Sequence, residues 1–166
     1  PCSSAASDVY KRQILDTAQK AGCKILLPSD VVVAKLLNSD VENFVVPITD
    51  CPSNLMILDI GPKTLEKAKG ILVNSKTVIW NGPLGAFEIK PFDQATNILA
   101  NFVSNLSYNE KLISIAGGGD TLAALNNAEA SGGFSYLSTA GGAFLEWMEG
   151  KKLPGIAAVS YTHLTL

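Results

Sequence analysis

The chain has 166 residues, 47% of them apolar and 17% charged, with a formal charge of −2 at pH 7. That length carries one α/β domain with a sizeable core, and the composition is that of a folded globular protein rather than a disordered one. No basic stripe is available to neutralise phosphates, and the apolar runs break well short of the roughly 18 residues of a membrane helix, so neither nucleic acid nor membrane is expected as a partner.

In chain order, residues 1–13 hold no apolar stretch of signal-peptide length. They hold something else. Asp8-Val9-Tyr10-Lys11-Arg12-Gln13 can be encoded as GAT GTG TAT AAG AGA CAG. The reverse complement of that DNA, shifted by two bases, reads Val-Ser-Tyr-Thr-His followed by the start of a Leu codon, and Val159-Ser160-Tyr161-Thr162-His163-Leu164 is that string. The expected organisation is therefore an adaptor-derived foreign segment over 1–13, a partial native domain over 14–158, and an adaptor-derived tail over 159–166.

Residues 24–27 form a short β-rich run into Pro28, and 31–49 holds two β-branched stretches around Asn38-Ser39-Asp40, read as an antiparallel excursion. Residues 55–60 are the next strand, entering Gly61-Pro62. Leu65, Ala68, Ile71 and Leu72 then mark one face of a helix, with Pro62 at its first position, where the missing N–H costs nothing. Residues 77–80 enter Asn81-Gly82-Pro83. Phe92, Ala95, Ile98, Leu99, Phe102 and Val103 recur at helical spacing. Residues 112–116 enter Gly117-Gly118-Gly119 ahead of a helix over 121–127, and 134–137 enter Ser138-Thr139-Ala140-Gly141-Gly142. Phe144, Leu145 and Met148 give a last short helical face, stopped by Gly150 and Pro154. Apolar strands alternating with helices predict βαβ crossovers. The fold class is α/β, an open parallel sheet with helices on both faces in a Rossmann-like three-layer arrangement.

Ligands of such sheets bind at the carboxyl ends of the strands, and four of these turns leave their strands at that edge. Glycine lets backbone N–H groups approach an anion, and a helix N-terminus adds free donors and a favourable dipole. The pattern points to a phosphate-bearing ligand, although Gly-rich turns also serve simply to pass strand into helix. Asp120, following Gly117-Gly118-Gly119, is an unusual neighbour for phosphate unless a divalent cation lies between them. From the local string alone it serves at least as well as an N-cap of its own helix. Neither G-x-x-x-x-G-K-[ST] nor G-x-G-x-x-G occurs, which weakens a dinucleotide-binding dehydrogenase reading. Cys2, Cys23 and Cys51 form no C-x-x-C pair and His163 is the sole histidine, so the cysteines read as free thiols of a cytoplasmic protein and not as a zinc site.

Six strings together resemble phosphoglycerate kinase: Leu26-Leu27-Pro28-Ser29-Asp30, Leu58-Asp59-Ile60-Gly61-Pro62-Lys63, Trp80-Asn81-Gly82-Pro83-Leu84-Gly85-Ala86-Phe87-Glu88, Gly117-Gly118-Gly119-Asp120-Thr121, Ser138-Thr139-Ala140-Gly141-Gly142-Ala143, and Leu145-Glu146-Trp147-Met148-Glu149-Gly150 running on to Gly155. The resemblance covers 14–158 and implies the C-terminal, nucleotide-binding domain of a glycolytic kinase. Such an enzyme moves a phosphoryl group between 1,3-bisphosphoglycerate and Mg-ADP, giving 3-phosphoglycerate and Mg-ATP. Carried over by position, Asp120 would bind Mg²⁺, and Gly118, Gly119 and Thr121 would contact the ADP or ATP phosphates. Glu88 would take the ribose hydroxyls, while Gly61, Asn81 and Pro83 would line the nucleotide cleft. Gly141 and Gly142 would offer N–H groups to the transferring phosphoryl as the catalytic element. Ala140 departs from the family pattern, which has glycine there. The family's Gly-Gly-Ala-Lys loop, its triose-binding domain and its closing C-terminal segment are not in the chain. The expectation is a sheet incomplete at its N-terminal edge, a fragment inactive alone, and a monomeric parent enzyme. A stand-alone nucleotide-binding module is the alternative.

Overall fold

The computed structural model describes residues 2–139, 142, 146 and 149–151, with side chains from Val9 onward. A first helix α1 (Cys2–Lys20) precedes two sheets. The first is antiparallel: β1 (Asp30–Ala34) lies between β2 (Asn43–Pro47) and β3 (Met56–Ile60). The second is parallel, with β4 (Thr77–Trp80), β5 (Ile113–Gly117) and β6 (Tyr136–Ser138) in that order. Helices α2 (Pro62–Val73), α3 (Gln94–Tyr108) and α4 (Gly119–Asn127) make the connections.

The parallel α/β core expected from the alternating pattern is present. The antiparallel excursion over 31–49 is also there as β1 and β2. It takes in a third strand, because 55–60 pairs with β1 (Val31 opposite Ile60) and not with the parallel sheet. An apolar run carries no label for the direction of its partner, so composition alone assigned β3 to the wrong sheet. Residues 24–27 form no strand. Ile25, Leu26 and Leu27 are exposed there, and a strand exists only where a ladder partner accepts its hydrogen bonds. The helical face at 144–148 falls mostly outside the described residues.

Register places Val78 and Trp80 of β4, Ser114 and Ala116 of β5, and Leu137 of β6 on one face. That face packs into the main core with Leu65, Leu99, Val103, Leu125 and Phe134. Trp80 meets Phe134 edge to face at 6.1 Å, a geometry worth about 1 kcal/mol beyond the area it buries. The opposite face carries Ile79, Ile113 and Tyr136, all exposed among the described residues. The edge of β4 faces an open apolar cleft of about 330 Å³ that Leu26, Ile71 and Leu72 also line.

Two buried aspartates join the antiparallel sheet to the helices. A helix start leaves its first N–H groups without partners. At α2 these go to Asp30 of β1, whose Oδ2 accepts from the Lys63 N–H at 2.9 Å and Oδ1 from the Thr64 N–H at 2.7 Å. The Thr64 hydroxyl donates to the same Oδ1 at 2.6 Å. At α3 the neighbouring Asp93 spends its carboxylate on the Asn97 side chain, and Asp59 of β3 accepts the Ala95 N–H at 3.0 Å instead. Each cap comes from more than 30 residues away in sequence, so it pins tertiary structure as well as ending a helix.

Candidate functional site

The parallel register ends β4, β5 and β6 at a common level, with Trp80 beside Ala116 and Gly117 beside Ser138. Their following turns therefore emerge together. After β5 the chain must reverse into α4 within one residue. Gly118 does this at φ +100°, a region closed to side chains bearing a Cβ. Its N–H donates to the Ser138 carbonyl at 3.1 Å, and its own carbonyl accepts the Leu122 N–H at 3.0 Å. The α4 geometry then leaves the N–H groups of Gly119, Asp120 and Thr121 without intrahelical acceptors, pointing out of the helix start. The positive end of the helix dipole lies at the same place.

Thr121 is buried, and its hydroxyl accepts the Gly82 N–H at 2.8 Å. The Gly82 carbonyl accepts from the Trp80 indole N–H at 2.6 Å. Gly82 thus has both polar groups engaged inside the protein, and Thr121 is the post that ties the turn after β4 to the turn after β5. Its backbone N–H, rather than its side chain, is what faces outward. Asn81 is exposed on the rim of this junction.

Asp120 lies in the first turn of α4 and is exposed. The helix cap position is Gly118, and no side chain caps it. The local alternative in which Asp120 is the N-cap therefore does not describe this helix. The Asp120 side chain makes no hydrogen bond or ion pair with any described residue, which leaves its carboxylate open beside the N–H groups of the helix start. No group of three His, Cys, Asp or Glu side chains able to hold a metal occurs among the described residues. Cys23 and Cys51 are free.

The other expected residues stand in a second neighbourhood. Pro83 lines an open cleft with Asp59, Ile60 and Gly85. Gly61 is buried at the start of α2, its N–H donating to the Asp30 carbonyl at 2.9 Å. A methyl group there would overlap the Asp30 carboxylate, so close approach and not a positive φ requires glycine. Burial pushes the Asp30 carboxyl up, but the Thr64 hydroxyl, the Lys63 and Thr64 N–H groups and the Lys63 charge outweigh it and hold the group below its usual range. The start of α2 is consequently occupied by the protein's own anion. Glu88 is exposed on a turn, residues 85–89, anchored by the Ala86 N–H to the Leu58 carbonyl at 2.9 Å. No hydrogen bond joins Glu88 or Gly61 to the junction around Gly118. Gly142 is exposed with open space beside it; Gly141 and Ala140 lie outside the described residues.

Sequence reasoning missed the buried polar residues that hold these turns: Asp30, Thr64, Asp59 and Thr96. Asp59 is pushed up to about 6, first by burial, with the Asp93 charge adding to the rise and the Ala95 and Ile60 N–H groups opposing it. A single Asp inside an apolar strand string, as in Leu58-Asp59-Ile60, is the one local signal of such a residue, since burying an unpaired carboxylate is too costly without donors waiting.

The profile of phosphoglycerate kinase matches residues 4–151. The chain is 58% identical over 149 residues to a phosphoglycerate kinase of Cereibacter sphaeroides, covering 90% of this chain and 38% of that protein. It is 53% identical over 158 residues to the phosphoglycerate kinase of Zymomonas mobilis, covering 95% and 40% respectively. The solved phosphoglycerate kinase of Coxiella burnetii superposes with a TM-score of 0.81 at 42% identity, over 88% of this chain and 37% of that one. The chain spans about two fifths of the length of the relatives it matches. Among the described residues no helix is long and apolar enough to cross a membrane.

Proposed function

The chain belongs to the phosphoglycerate kinase family, and from that premise we propose that it supplies the nucleotide side of phosphoryl transfer between 1,3-bisphosphoglycerate and Mg-ADP. The observation that carries this reading is the start of α4. Three outward N–H groups, at Gly119, Asp120 and Thr121, are gathered there with one carboxylate that no described residue neutralises.

Each residue then has a task its chemistry allows. The α4 amides and dipole hold phosphate oxygens. Gly118 makes the reversal that aims those amides, and Thr121 fixes the Asn81-Gly82-Pro83 turn beside them. Asp120 alone would repel a polyphosphate; with Mg²⁺, which takes one or two carboxylates together with phosphate oxygens and waters, it becomes an anchor. The donor set fits that mode, being one exposed carboxylate rather than a closed cage. The ion, when bound, supplies charge neutralisation to the phosphates. Glu88 accepts the ribose hydroxyls, Pro83 lines the nucleotide cleft, and Gly61 backs that cleft from the buried start of α2. Gly141 and Gly142 donate N–H groups to the phosphoryl in transit. The triose, the remaining catalytic groups and a cytoplasmic, monomeric whole enzyme belong to this same reading, in which the fragment is inactive alone.

Calorimetric titration with ADP, with and without Mg²⁺, tests it. Wild type should need Mg²⁺ for its full affinity, and Asp120→Asn should lose most of the Mg²⁺-dependent part. Equal Mg-ADP affinity in the variant would remove Asp120 from the site.

A further inference from the structure

The segment between Pro83 and Glu88 is held by more than its own turns. The Leu84 N–H donates to Thr96 Oγ1 at 3.0 Å. Gly85 lies directly on the Asp59 carboxylate, where a Cβ would come within 2.5 Å of Oδ1. The Ala86 N–H donates to the Leu58 carbonyl at 2.9 Å. Thr96 is fully buried in the first turn of α3, and that turn is itself capped by Asp59 through the Ala95 N–H. Three consecutive residues are thus fixed to two elements, β3 and α3, and one buried carboxylate touches both. Those contacts fix where the two ends of the segment, Pro83 and Glu88, stand relative to β3 and α3.

We infer that Thr96 and Asp59 are positioning residues that set Pro83 and Glu88 at the distance a nucleoside requires, while the start of α4 handles the phosphates. The inference rests on the proposed nucleotide site. Its consequence is a division of labour. Disturbing Thr96 loosens the nucleoside end and spares the phosphate end, because Thr121 fastens the Gly-rich junction independently through Gly82.

Thr96→Val keeps the shape and removes the acceptor, leaving the half-buried Leu84 N–H without its partner; Thr96→Ser restores the hydroxyl. Amide hydrogen exchange on the full chain should be about tenfold faster at residues 84–88 in Thr96→Val. The Ser114 amide, which donates to the Ser135 hydroxyl on the far strands, should keep its protection and reports intact folding. Affinity for Mg-ADP should fall about tenfold with Mg-pyrophosphate unchanged, and Thr96→Ser should behave as wild type on both counts. Asp59→Asn, which turns an NH₂ toward a backbone donor, should repeat the selective loss from the other side of the clamp. Unchanged exchange at 84–88 would overturn the clamp whatever the nucleotide does. Faster exchange with equal losses for ADP and pyrophosphate would overturn the positioning role. A wild-type chain that binds no Mg-ADP would instead remove the functional reading, and the exchange data would still decide the clamp.

Discussion

Replacing Asp59 by Asn should abolish a loss of stability that the wild-type chain suffers as pH rises from about 4 to about 7. The carboxyl is 2% exposed and its pKa is pushed up to about 6, against an ordinary 3.8, by burial first and then by Asp93. A folded-state pKa above the unfolded one means that the native protein keeps a proton the unfolded chain has already released. This contribution to stability is whole below pH ~4 and disappears as pH rises through ~6. The gap is about 2 pH units at about 1.4 kcal/mol each, so the whole contribution is about 3 kcal/mol, of which about 2 kcal/mol is lost between pH 4.5 and pH 7. Asp30 works in the opposite sense and in another window. Its pKa is lowered, so its contribution is present above about pH 4 and fades only as pH falls further. Urea unfolding of both proteins at pH 4.5 and pH 7 isolates Asp59 together with its coupling to Asp93, because groups that do not interact with Asp59 cancel in the difference of differences. The amide variant carries a constant penalty from its NH₂, which cancels too. Parallel pH dependence in wild type and Asp59→Asn would mean that Asp59 does not hold its proton in the folded chain.

Thr121→Val should destabilise the chain by about 1–3 kcal/mol in urea unfolding, since it strands the Gly82 N–H beside a methyl group, whereas Thr121→Ser should cost little. Glu88→Ala should weaken ADP more than inorganic polyphosphate in competition titrations, as only ADP carries a ribose. Removing residues 1–13 and 159–166, the segments we propose to be foreign, should leave the melting temperature within a few degrees of the parent. Val9 and Tyr10 are more than half exposed, so little apolar burial is lost with them.

What could be read ahead of the structure was what is local. Leu65, Ala68, Ile71 and Leu72 mark α2 because helical periodicity lies within one segment, and Gly118 marks the β5–α4 reversal because only glycine makes it. Strand identity is not local. Residues 24–27 have the composition of a strand and no described partner, while 55–60 found its partner in β1 rather than in the parallel sheet. The site divides in the same way. The Gly-rich turns were legible from their strings. The bond from the Gly82 N–H to the Thr121 hydroxyl spans 39 residues, and the caps at Asp30 and Asp59 reach across similar separations. No short-range pattern encodes those pairings, because burial supplies the reason for them only after the chain has folded.

Two-dimensional ¹H–¹⁵N NMR of the labelled chain titrated with Mg-ADP reads the proposed nucleotide site residue by residue. If the start of α4 holds the phosphates, saturable shifts should appear at Gly118, Gly119, Asp120 and Thr121, with a second set at Ala86 to Glu88, and the first set should be lost when Mg²⁺ is withdrawn. Saturable binding that leaves the α4 start unmoved, or no binding at millimolar ADP by a folded chain, would contradict that role.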